Sequence, residues 1–528
     1  MPLQGLLEES ARRFGEKTAL VFEGQPVSYS ELDSLSIRFA NALHDLGVKK
    51  GSRVALFLPN VPQFVISFFG VLKAGAVVTA INPMHREREV EFQLCDSGAE
   101  TIIALDTLQP IVAAVKRRTP LKHVIITSLG DVGFSELLKD ASTENTKIKI
   151  ATAEDLAALQ YTGGTTGTPK AAMLTHRNLL ANALQFADAI QAAPRDVFLT
   201  ALPLSHIYGL TTSMTVPLSV GAEMVLLPKF EAAKACQAIQ RHKATVFCGV
   251  PTMYQLLLAN PDLASYDLSS IRVCISGAAS LPPQVQKQFM QVTGGLLAEG
   301  YGLTEASPVT HCSPVDGGSR LRVGSIGLPL PDTEACIVDA ENGQRTLGVG
   351  EVGELAVKGP QVMLGYWQRP EETAAALRDG WLLTGDIASM DADGYCYVVD
   401  RKKDLIKHNG YSVYPRELED ILYGHPAVKL CAVVGKADVA SGEVPVAFVV
   451  LKDGAVVSME ELRAFVNSKV APYKAIRQVE FRGELPISAA GKVLRRLLIV
   501  DELSVLKLKA ERFAREDAAK RARRRQQL

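Results

Sequence analysis

The chain has 528 residues, 47% apolar and 22% charged, with 57 basic residues against 57 acidic ones and a formal net charge of zero. That length exceeds what one core ordinarily holds, so two or more domains are expected, and the balanced charge makes no electrostatic case for nucleic-acid binding. Eight scattered cysteines without a C-x-x-C pair argue against a zinc site or a disulfide framework and fit reduced thiols in a cytosol.

The N-terminus, MPLQGLLEES, lacks a basic stretch followed by an apolar one, so no secretory signal is read there. Residues 27–60 predict a strand, a helix and a strand, with Ser30 and Asp33 as candidate N-caps and Gly47 closing the helix. RVALFLPN has the continuous apolar character of a parallel-sheet strand. The alternation repeats in FVISFFGVLKAG with AVVTAIN and in REVEFQLCDSG with ETIIALD. The window 61–81 is the most apolar, but Lys73 and its glycines and prolines make it a buried helix and strand, not a membrane span. Residues 106–150 are more polar and predict a peripheral segment.

YTGGTTGTPK, residues 161–170, alternates Gly163, Gly164 and Gly167 with Thr162, Thr165, Thr166 and Thr168 before Lys170. Glycine lets backbone N–H groups converge, threonine adds short donors and lysine a mobile point charge, which together describe an anion-cradling loop for a polyphosphate. Pro169 and Ala171 exclude the Walker-A spacing, and the same composition would also serve a solvent-exposed turn. THRNLLANALQFADAI follows as a helix whose N-terminus is expected beside this loop. Further strands are read in DVFLTALPL, AEMVLLPKF, ATVFCGVP and IRVCISGAA, and short glycine-rich strands follow from about residue 320. DRKKD at 400–404 marks a boundary, beyond which PRELEDILYGHP, LCAVVG, VPVAFVVL, MEELRAFVNSKV and RQVEF form a compact α+β module. The tail ending KRARRRQQL reads as a solvated helix, its rival being a basic patch for anionic lipid or an acidic partner.

The predicted fold is α/β, with strands alternating with helices in doubly wound sheets and a β-rich subdomain, followed by a small α+β domain. The expected divisions are 1–400, a hinge at 401–404, 405–505 and a charged tail at 506–528.

Other motifs fall in order behind the glycine loop: LPLSHIYG at 202–209, EGYGLTEAS at 299–307, TGD at 384–386, DRKKDLIKHNGYSVYPRE at 400–417 and PISAAGK at 486–492. In this order and spacing, from about residue 10 to about residue 500, the chain resembles the adenylate-forming superfamily of acyl-CoA synthetases, luciferases and peptide-synthetase adenylation domains. HNGYSVYPRELE and GYGLTEASPVTHCSP are most similar to bacterial medium- or long-chain fatty-acyl-CoA ligases.

The resemblance implies an acid–thiol ligase that uses ATP, Mg2+ and coenzyme A. A carboxylate attacks the α-phosphate of ATP to give acyl-AMP and pyrophosphate, and the coenzyme A thiol then displaces AMP. It implies that Thr162, Gly163, Gly164, Thr165, Thr166, Gly167 and Lys170 hold the phosphates, and that Glu305, with Thr165, holds the magnesium. The adenosine contacts it implies are Gly277, Ala278 and Ala279 after Ser276, then Glu299, Gly300, Tyr301, Gly302, Thr304, Asp386, position 398 and Arg401. Lys492 matches the C-terminal lysine that reaches the carboxylate and α-phosphate, and is a candidate for regulatory acylation. His206, Tyr208, Met214, Val250, Gly302 and Gly327 would line the acyl pocket, where glycine at 302 leaves the tunnel open to longer chains. Lys403 occupies the hinge position, about which the resemblance implies that the small α+β domain is mobile, with Lys407 and Gly410 on the coenzyme A side. Glu305 as a helix cap, Asp386 with Arg401 as a structural ion pair, and His206 as a buried structural histidine are the alternatives. LPLSHIYG lacks the aspartate that would hold an amino group, which disfavours an amino-acid substrate. An aryl or alicyclic acid CoA ligase and a catalytically silent nucleotide-binding scaffold are the competing functions. The expected protein is cytoplasmic, a monomer or homodimer, with membrane contact left to the basic tail.

Overall fold

A computed structural model describes residues 1–131, 134, 136–162, 169–409, 411–438, 441–487, 493–495 and 497–499. These residues fall into two compact units, the first drawn from 1–163, 169–384 and 388–398, the second mainly from 399–528.

In the first unit a six-stranded sheet runs in the order His123–Thr127, Thr101–Leu105, Arg53–Phe57, Val77–Ala80, Leu156–Tyr161, Ala171–Thr175. All its pairings are parallel except the last. Thr101–Leu105 and Val77–Ala80 are buried along their whole length, as strands covered on both faces must be. The helix Pro62–Lys73 is buried at every position, which explains its all-round apolar sequence. Its one charged residue, Lys73, has a side chain only 2% exposed and pairs with Glu8 and Asp33, each at 2.9 Å. Asp33 is therefore a counter-ion rather than a helix cap. The cap of the helix Tyr29–Asp45 is Ser28, whose hydroxyl accepts the Glu31 N–H at 3.2 Å.

A nine-stranded sheet runs Leu328–Pro329, Val309–Cys312, Leu296–Gly302, Val273–Ser276, Val246–Gly249, Val197–Thr200, Glu223–Leu226, Thr18–Phe22, Gln25–Ser28. From Leu296–Gly302 through to Thr18–Phe22 the strands are parallel; antiparallel strands guard both edges. A smaller, five-stranded sheet follows, built on Glu334–Val338, Gly353–Lys358, Trp381–Met390, Leu377–Arg378 and Cys396–Arg401.

The second unit has its own sheet, in the order Tyr411–Val413, Ile406–His408, Gly442–Leu451, Val428–Asp438, with Gln478–Phe481 parallel to Gly442–Leu451. The helices Pro415–Tyr423 and Met459–Asn467 bury Leu418, Leu422, Leu462 and Val466 against Val433, Ala447 and Val449. The α/β architecture is the one expected. Among the described residues no helix is long and apolar enough to cross a membrane.

Candidate active site

The glycine–threonine run begins at the end of one strand and finishes at the start of its antiparallel neighbour. Tyr161 pairs with Ala171, and the Thr162 N–H donates to the Lys170 carbonyl at 2.8 Å. The two strands that flank the run thus pair antiparallel. Gly163, Gly164, Thr165, Thr166 and Gly167 lie outside the described residues. The helix His176–Ala189 does not follow directly on this run. Ala171–Thr175 intervenes as a strand, so the helix begins about 16 Å further along at ~3.3 Å per residue, beyond the reach of a helix-terminus dipole. Its N-terminus is closed by its own residues: the Thr175 hydroxyl accepts the Asn178 N–H at 3.1 Å, and Asn178 Oδ1 accepts the Thr175 N–H at 2.9 Å.

Residues 363–367 lie along Ala171–Thr175 as a further extended segment. The Leu364 N–H donates to the Met173 carbonyl, the Met173 N–H to the Gly365 carbonyl, and the Trp367 N–H to the Ala171 carbonyl. Gly365 has φ +146, and a Cβ there would stand 2.6 Å from Thr373 Cγ2, so only glycine turns the chain here. This course carries Tyr366 to Lys170 and Glu305. Tyr366 donates its hydroxyl hydrogen to Glu305 Oε1 at 2.7 Å, and the Lys170 ammonium stands 5.1 Å from the tyrosine ring centre. The Met363 N–H donates to the Glu305 carbonyl at 2.8 Å, so the segment grips both the backbone and the side chain of Glu305. Burial, and then the Glu305 charge, push the Tyr366 hydroxyl well above the usual phenol range, so it stays a neutral donor. Tyr366 was not among the residues read from sequence; the bend at Gly365 was the one available signal.

Asp96 gathers a second set of groups that sequence did not reveal. Its Oδ2 accepts from the Tyr161 hydroxyl at 2.7 Å, its carbonyl from Trp367 Nε1 at 3.1 Å, and Arg369 lies 3.6 Å from Oδ1.

The carboxyl ends of four adjacent parallel strands supply much of the remaining set. His206 follows Val197–Thr200 after a short turn, Val250 follows Val246–Gly249, Gly277 follows Val273–Ser276, and Tyr301 and Gly302 end Leu296–Gly302. This is the edge at which open α/β sheets bind ligands. Ala278 sits at φ +69, a conformation that costs an alanine about 1–2 kcal/mol, and Ala279 follows it. Glu299, 5% exposed, accepts the Leu281 N–H on Oε2 at 3.3 Å, while its carbonyl accepts from Ser313 N–H. Gly300 pairs with Cys312 and Tyr301 with His311, their rings meeting edge-on at 6.0 Å. Burial drives the His311 imidazole down to about 3, so it is neutral near pH 7. Thr304 and Glu305 share the 3₁₀ turn Thr304–Ala306, which places Glu305 in a turn and not as a cap of a longer helix.

The acyl-pocket positions differ from expectation in what holds them. His206 Nδ1 accepts the Tyr208 N–H at 3.2 Å and caps the short helix Ile207–Leu210. Tyr208 is buried, donates to the Ile275 carbonyl at 3.0 Å, and rests its ring on Gly277, where a Cβ would come within 2.9 Å. Met214 lies in a π-helical turn, Thr211–Thr215, and is fully buried, as is most of Val250. A Cβ on Gly302 would stand 1.9 Å from the Pro308 carbonyl oxygen, and one on Gly327, at φ +91, 2.1 Å from the Cys312 carbonyl carbon. Passing backbone therefore demands both glycines; the expectation that glycine at 302 faces an open tunnel is corrected. Burial raises the Cys248 and Cys312 thiols to about 12, which keeps them neutral.

In the second unit Arg401 Nε lies 3.4 Å from Asp386 Oδ1, and Asp386 is 8% exposed, so these two meet. Position 398 is Val398, which brings no ring; the tyrosine beside it, Tyr397, donates to Asp391 Oδ2 at 3.2 Å. Lys403 is exposed in the turn after Arg401. Lys407 donates its N–H to Glu443 Oε2 at 2.7 Å and its ammonium to Ser412 Oγ at 2.8 Å. Gly410, Lys492 and the tail 506–528 lie outside the described residues. Arg495 forms a two-pronged pair with Glu419, at 2.7 and 2.8 Å through one amino group, and reaches Asp404 at 3.0 Å.

Among the described residues no group of three or more histidine, cysteine or carboxylate side chains is set to hold a metal. Glu305 still fits a cation that is shared with phosphates, because its Oε1 takes one neutral hydrogen bond and Oε2 none among the described residues.

Residues 7–367 match the family model described as AMP-binding enzyme, and residues 417–492 the one described as AMP-binding enzyme C-terminal domain. The long-chain-fatty-acid–CoA ligase of Bacillus subtilis (strain 168) is 45% identical over 533 residues, covering 95% of this chain and 94% of that protein. The protein of the same name from Salmonella typhimurium is 39% identical over 528 residues, covering 93% of each. Among solved structures, ATP-bound MatB from Rhodopseudomonas palustris matches with a TM-score of 0.88 at 31% identity, over 95% of this chain and 99% of that one.

Proposed function

The chain belongs to the AMP-binding enzyme family, and we propose that it is an ATP-dependent ligase that activates a fatty carboxylic acid as acyl-AMP and transfers the acyl group to coenzyme A. The observation that carries this reading is the 45% identity, across 95% of the chain, with a long-chain-fatty-acid–CoA ligase.

In the first half-reaction a carboxylate oxygen forms a bond to the α-phosphorus while the bond to the bridging oxygen of pyrophosphate breaks. The protein's work there is positioning and charge neutralisation. Lys170 is assigned to the β- and γ-phosphates, with Thr165 and Thr166 of the same run. Glu305 would hold a magnesium ion, which would supply neutralising charge to the phosphates. Gly277, Ala278, Ala279 and Tyr301 are assigned to the adenine, and Asp386 with Arg401 to the ribose. Lys492 is assigned to the α-phosphate and the attacking carboxylate. In the second half-reaction the coenzyme A thiol bonds to the acyl carbon and AMP leaves, with Lys403 at the hinge and Lys407 and Gly410 assigned to the pantetheine side.

The acyl chain is assigned to the space beyond His206, Val250 and Met214, with a preference for medium to long chains, because each buried methylene adds about 0.8 kcal/mol. ATP–pyrophosphate exchange and thioester formation with acetate, octanoate, palmitate, benzoate and 4-coumarate test this. Octanoate or palmitate should lead. Acetate or an aromatic acid leading would overturn the fatty-acid assignment, and exchange with none would favour the silent scaffold.

A further inference from the structure

The Lys170–Tyr366–Glu305 arrangement raises a physical problem that its geometry answers. A lysine and a glutamate that are held by the same tyrosine have every reason to move together into a salt bridge. Such a bridge would neutralise both charges, leaving less positive charge for phosphate and a carboxylate already engaged by an ammonium. Among the described residues Lys170 and Glu305 form no ion pair. A tyrosine stands between them, with its hydroxyl on the carboxylate at 2.7 Å and its ring beneath the ammonium at 5.1 Å.

We infer that Tyr366 is a positioning residue that spaces Lys170 from Glu305 and orients each without discharging it; this rests on the reading of those two as nucleotide-site residues. The hydroxyl can give only one hydrogen, so it fixes Oε1 and leaves Oε2 to a cation. The ring face attracts the ammonium through its quadrupole, which holds a cation in place but cancels none of its charge. A carboxylate or amide at 366 would compete for Lys170 or reorient Glu305.

Three constraints keep the ring where it is. The Tyr366 N–H donates to Thr373 Oγ1 at 2.9 Å, Ala172 faces Tyr366 in an isolated antiparallel bridge, and the Met363 N–H ties the start of the segment to the Glu305 carbonyl. Lys170 immediately precedes the strand on which this segment lies. The spacer and Lys170 therefore ride on one small piece of sheet, the Glu305 turn is tied to it by a backbone hydrogen bond, and the separation does not depend on long side chains alone.

The test uses the full-length protein and two readouts: ATP binding in excess EDTA, and the Mg2+ concentration giving half-maximal ATP–pyrophosphate exchange. Tyr366→Phe keeps the ring and loses the hydroxyl. It should bind metal-free ATP as the unmodified protein does, while its Mg2+ requirement rises about tenfold, as expected for the loss of one hydrogen bond to a charged group. Tyr366→Leu removes the spacer as well, and its metal-free ATP binding should weaken about fivefold as Lys170 collapses onto Glu305. Adding Glu305→Gln to Tyr366→Leu should restore that binding, a recovery that a merely structural role for the tyrosine would not produce. Unchanged metal-free binding in Tyr366→Leu, or no recovery in the double variant, would overturn the inference. If the leucine variant fails to fold, an unaltered Mg2+ requirement in Tyr366→Phe overturns it equally. Absence of exchange in the unmodified protein, or exchange indifferent to Lys170→Met and Glu305→Gln, would instead sink the nucleotide-site reading beneath it.

Discussion

Two charge clusters, one in each unit, are built on opposite rules. In the first unit Lys170 and Glu305 are half-buried and are held by a neutral tyrosine and by backbone groups. In the second, Arg495 is neutralised within the protein: Glu419 takes its two-pronged pair, Asp404 takes another donor, and the Glu419 carboxylate also accepts the Val433 N–H at 2.7 Å. Asp400 lies nearby and accepts the Arg401 and Arg416 N–H groups at 2.7 and 2.8 Å. Charges meant for a ligand must stay unspent, so the protein positions them with dipoles and ring faces. Charges that only fasten one segment to another can be paired off, and their geometry is correspondingly tight.

The contrast is broken most forcefully at Glu419. Its side chain is 11% exposed and that of Arg495 24%, so Glu419→Ala leaves a largely buried guanidinium without its main partner. Removing one member of a buried pair costs about 3–5 kcal/mol. Hydrogen exchange of the Gly442–Leu451 strand amides should accelerate accordingly, while Tyr366 and its neighbours in the first unit keep their protection. Equal loss of protection in both units would show that this pair is not local fastening.

At Lys170 the expectation reverses. Lys170→Met removes a charge that no carboxylate in the first-unit cluster uses, so stability should hardly move, within about 0.5 kcal/mol. ATP–pyrophosphate exchange should fall about 100-fold, the usual loss when one preorganised charge or donor is taken from a transition state. A variant that unfolds early yet exchanges normally would place Lys170 with the structural charges.

How much of this could be read from the chain follows the range of the interactions. Strands such as Thr101–Leu105 and helices such as Pro62–Lys73 announce themselves through local apolar runs, and the motif residues sit at strand ends because that is where an open sheet leaves room. The strand Ala171–Thr175 was not legible. AAMLT runs without a break into a helical pattern, and what makes it a strand is its pairing with Leu156–Tyr161 and with residues 363–367. Tyr366 was invisible for the same reason, since its partner Glu305 is 61 residues away. Gly302 and Gly327 read from sequence as pocket lining, and only the path of Pro308 and Cys312 shows that passing backbone is what stands against them. Nothing in the sequence singles out Arg495 or Glu419 as partners, because the contact with Asp404 spans a separation of 91 positions that only the fold closes.

The smallest effect is also the one that separates the two units by sign. In the first unit, burial holds His311 down to about 3 and His176 down to about 4, against an ordinary value of 6.5. The unfolded chain therefore binds more protons than the folded one between those values and 6.5, and stability falls as pH drops through that window. At pH 5 each histidine should cost about 2 kcal/mol relative to pH 7. In the second unit, burial raises Asp400 to about 6 from 3.8, with the backbone N–H groups offsetting only part of that. Here the folded state binds the extra proton, so acidification from pH 7 to pH 5 adds stability, about 1 kcal/mol. Both tryptophans, Trp367 and Trp381, lie in the first unit, so their fluorescence in urea follows that unit, while amide exchange in Gly442–Leu451 follows the other. His311→Gln should flatten the first response by its share and Asp400→Asn the second. Parallel weakening of both units at pH 5, untouched by either substitution, would mean that the acid response comes from the surface charges and that the buried groups named here do not set it.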